Sequence, residues 1–242
     1  MKNSIQIIVL SALFITTMAN AQWSSNNRIK GNGKIITEKR TTLGYDEIDV
    51  SGFFDVNLIA GKEGEISIQG EENLMQYIKV EVTGNVLKIY TEKNVNISSN
   101  KEIILTVPFE QISYVSLSGS GDIKSKSTIE SSKFSAKLSG SGDLNLDVKT
   151  IEFEANLSGS GDVVLTGNSD SFISKISGSG DVDAVNLATK NANLTISGSG
   201  DMKVNCSQSL YARVSGSGDI AYKGNPEIKD TKVSGSGEIS KM

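Results

Sequence analysis

Seven acidic side chains recur at one place in a repeated pentapeptide. Asp122, Asp143, Asp162, Asp181, Asp201 and Asp219 each close a copy of Ser-Gly-Ser-Gly-Asp, and Glu238 closes a copy that ends in Glu. Carboxylates so placed can do three things. In pairs about 5–9.5 Å apart they hydrolyse glycosidic bonds. As a row of oxygens they hold calcium. Beside glycines they accept bonds from the backbone N–H groups of their own turn. A catalytic site should be an exception within a repeat, and these acids are the rule. The calcium-binding nonapeptide of RTX solenoids recurs every nine residues, and the present motif recurs at roughly twice that length. Turn formation is therefore the leading reading. A polysaccharide-active enzyme and a calcium-stabilised structural solenoid are the alternatives.

Other chemistry is scarce. The chain of 242 residues has no histidine and a single cysteine, Cys206. Ser-His-Asp and Cys-His catalysis and His-ligated metals are excluded, as is an intrachain disulfide. Cys206 reads as a small buried hydrophobe. No cofactor, metal site or catalytic residue is expected.

The spacing positions these residues. The first serines stand at Ser118, Ser139, Ser158, Ser177, Ser197, Ser215 and Ser234, in steps of 18 to 21 residues. Before them come Leu117, Leu138, Leu157, Ile176, Ile196, Val214 and Val233; after the acids come Ile123, Leu144, Val163, Val182, Met202, Ile220 and Ile239. Apolar and polar residues alternate with period two on both sides, which marks half-buried strands. One such unit cannot bury its apolar face alone, so the units stack as a parallel β-helix or related solenoid. The glycines either face the core in extended chain or make a corner through positive φ. The serines and acids form an outer face, on which the seven acids are the candidate ligand-binding residues. Lys137, Lys175, Arg213 and Lys232 form an intermittent outer column, read as a solvated face.

Upstream the repeat fades. Residues 45–117 contain strand signals separated by turns, with one helical turn expected at Glu71–Tyr77 and a strand closed by Pro108. Val50-Ser51-Gly52-Phe53-Phe54-Asp55-Val56 keeps the motif's frame and reads as a degenerate first copy. Residues 22–44 read as a polar lead-in, poorly ordered at its start. Lys2, the apolar run Ile5–Met18 and Ala19-Asn20-Ala21 read as a signal peptide, residues 1–21, cut after Ala21. The mature chain is then exported, with no transmembrane span. It keeps 23 basic against 28 acidic residues, with no basic cluster, which argues against a nucleic-acid partner.

The Val50–Val56 frame and the serial pentapeptides behind a signal peptide resemble the head GIN domain family, bacterial proteins described as putative auto-transporter adhesins. The resemblance runs from about Tyr45 to the C-terminus. It implies a right-handed β-helix and a periplasmic, cell-surface or extracellular site, and it supplies no catalytic residues. The reading is an all-β, exported protein of the cell envelope, without catalytic activity, that binds carbohydrate or a surface protein. Residues 118–242 form its regular coils.

Overall fold

The computed structural model describes residues 28–242. The expected signal peptide and the first residues of the lead-in lie outside them. Seventeen strands from both halves of the chain form one hydrogen-bonded sheet, wound as a parallel β-solenoid of about seven turns. Coil stacks on coil in register, apart from local bulges between Val164 and Thr166, Ala184 and Ala188, and Thr189 and Asn191. Ile129–Gly140 pairs with the end of Asp143–Gly159, which continues onto Val163–Gly178, Val182–Gly198 and Met202–Gly216, and the motif serines and first glycines lie directly above one another.

Registry turns the alternation into columns. Leu138, Leu157, Ile176, Ile196 and Val214 form one buried row; Leu144, Val163, Val182, Met202 and Ile220 form another. Phe134, Phe153 and Phe172 stack inside with ring centroids 5.5 Å apart at each step. Such aromatic contacts add about 0.5–1.5 kcal/mol each beyond the area they bury.

The degenerate copy lies directly beneath the first full one: Ser51 pairs with Ser118, Gly52 with Gly119 and Val56 with Ile123. The chain between them makes the base. Val86–Thr91 and Ile104–Phe109 form a coil below, pairing in parallel with Glu47–Gly52 and Asp55–Ala60. Antiparallel strands then cover its edge. Ile78–Thr83 pairs with Val86–Thr91, while Glu65–Glu71 pairs with Ile104–Phe109 and with Ile35–Thr41.

The expectation for Pro108 needs correction, while the described part of the lead-in and the expected helical turn are defined more closely. The lead-in is folded where it is described, with strands at Ile29–Lys30 and Ile35–Thr41. Pro108 lies inside its strand: it pairs with Ile59 on one side, and the antiparallel neighbour stops at Thr106, so its missing N–H is not needed. The helical turn is a 3-10 helix at Glu72–Tyr77.

Candidate functional site

The pentapeptide makes a corner. Its first glycine, Gly119 through Gly235, has φ between 131° and 141°, a region closed to side-chain-bearing residues. The second glycine is needed for space: a Cβ on Gly161 would lie 1.8 Å from the carbonyl oxygen of Gly142 below. The corner packs backbone on backbone. Ser160 N and Gly161 N both donate to Gly140 O, at 2.9 and 3.2 Å, and the other corners repeat the arrangement, with Ser199 N alone donating to Gly178 O. The exception explains the rule. In the degenerate copy Phe54 takes the second glycine's place and is fully buried. The coil below swings out there, between Thr91 and Ile104, so no corner lies beneath it.

Serines and acids project outward along this corner. The motif hydroxyls have no hydrogen-bond partner within the described residues and most are exposed. The acids do have one, and it is not in their own turn. Asp143 Oδ1 accepts the N–H of Asp162 at 3.0 Å, and Asp162 that of Asp181 at 3.2 Å. Asp181 accepts from Asp201 at 2.7 Å, Asp201 from Asp219 at 2.8 Å, and Asp219 from Glu238 at 2.7 Å. Each carboxylate thus ties its coil to the next. The expectation of a bond within the turn fails because the corner's own N–H groups point at the coil below.

Electrostatics vary along the column. Asp122 is paired with Lys124 Nζ at 3.0 Å. Asp55, the acid of the degenerate copy, has its carboxyl raised above the ordinary aspartate range, first by burial and then by the charge of Asp122. Among the described residues no three acid or thiol side chains converge into a metal cage. On the strand before the corner, Lys175 approaches Glu154 at 3.6 Å and Arg213 meets Asp230 at 2.6 Å. A shallow depression of about 630 Å³ lies on that side, over Ser113, Lys133, Ser135, Glu152, Glu154 and Ile173. It holds none of the column acids.

Two polar features of the interior escaped the sequence reading. Cys206 continues a column of buried hydroxyls, Thr150, Ser169 and Thr189. Its Sγ donates toward Ser209 O at 3.0 Å, so it behaves as a serine analogue, and burial pushes its thiol pKa up. Glu71 is fully buried at the base. It accepts bonds from Gly33 N at 2.6 Å, Ser99 Oγ at 2.7 Å and Asn100 N at 2.9 Å, and these donors, Ser99 first, hold its carboxyl below the ordinary range. The only local hint was an acid directly after Gly70.

With the corner defined, relatives can be compared. A family model described as "putative auto-transporter adhesin, head GIN domain" matches residues 44–226. The chain belongs to this family. A solved structure described as a putative adhesin from Bacteroides fragilis is 24% identical with a TM-score of 0.81, covering 88% of this chain and all of its own. A structure described as a putative lipid binding protein from Parabacteroides distasonis is 27% identical with a TM-score of 0.75, covering 89% of this chain and 99% of its own. A putative adhesin from Parabacteroides merdae is 22% identical with a TM-score of 0.66 over the same shares. No curated protein matches the sequence. The head GIN match ends at Pro226, within the corner that leads into the last coil.

Proposed function

We propose that the protein is exported and acts as a non-catalytic binder of the cell envelope, engaging a repetitive carbohydrate through its Ser/Asp corner. The carrying observation is the motif face itself: rows of serine hydroxyls without an internal partner, repeated at the spacing of the coils, about 4.8 Å. A polymer of hydroxyl-bearing units matches such a row better than a single protein epitope does. Solenoid faces commonly bind in this extended way. Family membership supports the adhesive role, and the leader pattern at residues 1–21 supports export.

Catalysis is the weaker reading. The acids Asp143 to Asp219 are equivalent to one another, and each is engaged in holding its neighbour. The relative named for lipid binding suggests another ligand, but here the interior columns are filled with side chains and leave no acyl-sized channel among the described residues.

A glycan array and a hydrolysis screen test the proposal together. Saturable binding without turnover, reduced when Ser158, Ser160, Ser177 and Ser179 are changed to Ala, is the expected result. Turnover of any polysaccharide, or binding indifferent to those serines, would overturn it.

A further inference from the structure

The last coil keeps Val233 and Ile239 in the aliphatic columns but differs from every coil beneath it at two other positions that register over the core. Ile228–Gly235 stacks on Met202–Gly216, and Ile239–Lys241 stacks on Ile220–Lys223. Registry places Lys229 above Leu210 and Thr231 above Ala212, both fully buried, and Lys241 above Tyr222. Two lysines therefore occupy core columns that lower coils fill with Phe153, Phe172 and Leu210 in one case and Val204 and Tyr222 in the other. Both are exposed, and Lys241 Nζ reaches Asn225 Oδ1. The acid changes in the same coil. Asp143 through Asp219 reach the N–H of the coil above, whereas Glu238 places its carboxylate one methylene farther out.

We infer that the coil 228–242 is a built-in stop that keeps the solenoid from adding further β-structure at this end, including a second copy of itself. A coil stacked above it would bury two ammonium groups without a carboxylate to balance either charge, a severe cost. It would also find no aspartate to accept its corner N–H. Inward-pointing charge is a recognised defence of an exposed sheet edge. The opposite end uses another device, the antiparallel strands that cover Val86–Thr91 and Ile104–Phe109.

The test removes the charges: Lys229→Leu with Lys241→Leu, compared with wild type by sedimentation velocity across a hundredfold range of concentration. Wild type should stay monomeric, and the folded double variant should associate as concentration rises. Adding Val233→Lys to the double variant returns an inward lysine to the same end and should restore the monomer; far-UV circular dichroism confirms that all three are folded. A wild type that self-associates and loses that association on Ser234→Pro, or a folded double variant that stays monomeric, overturns the inference.

Discussion

Asp162 receives the N–H of Asp181, and Asp181 that of Asp201, so each carboxylate supplies the acceptor that a backbone carbonyl supplies elsewhere in the ladder. Asn keeps the Oδ1 acceptor and removes the charge. Asp162→Asn should therefore change stability by less than about 0.5 kcal/mol, and Asp162→Ala should cost about 1 kcal/mol by orphaning one donor. Urea titrations distinguish the two. Gly161→Ala should be worse, by about 1–3 kcal/mol, because its methyl group meets the Gly142 carbonyl. Glu71 carries a pH prediction. Its carboxyl is held below the ordinary glutamate range, so its contribution is full above that range and is lost as pH falls through the lowered value. Melting temperature should fall more steeply with acid in wild type than in Glu71→Gln, which should start lower at neutral pH. None of these partners was legible in the sequence. The donor to Asp162 Oδ1 lies 19 residues away, and Glu71 is one acid among many until the fold brings Gly33, Ser99 and Asn100 around it.

Among the elements, the columns were legible and the corner was only partly so. Alternation on both sides of the motif identified the two aliphatic columns that flank the corner, Leu117 to Val214 and Ile123 to Ile220, but not the inner Phe134, Phe153 and Phe172 column. It could not choose between extended and bent chain, because both keep the same residues inside; the positive φ of the first glycine decides for the bend. Ile35–Thr41 was missed because it alternates only between exposed and half-buried sites and carries Glu38, Lys39 and Arg40, which reads as linker. One element carries a flaw. Ser174 lies fully buried in a column between Ala155 and Leu194, with Ala136 and Ala212 beyond them, and its hydroxyl has no partner. Ser174→Ala should stabilise the protein by about 1 kcal/mol, seen as a higher urea midpoint with unchanged slope. Cys206→Ser should be nearly silent, since a hydroxyl fits its column, and the native thiol should react with Ellman's reagent only on unfolding.

For the whole molecule, stability should be shared between neighbours along the axis rather than concentrated in one centre. The coil Ser158–Ile176 stacks in register with the next, which begins at Ser177. Deleting those 19 residues joins Leu157 to Ser177 with every column intact. The deletion variant should fold, with the same circular dichroism shape and a modestly lower melting temperature. Deleting nine residues should abolish folding, because half a coil puts inward residues outside. The registered corner thus makes the length of this protein a counted quantity. Its reach changes in whole rungs of about 4.8 Å, so a gene encoding it can lengthen or shorten the rod by copying or losing one rung, leaving the base and the stop untouched.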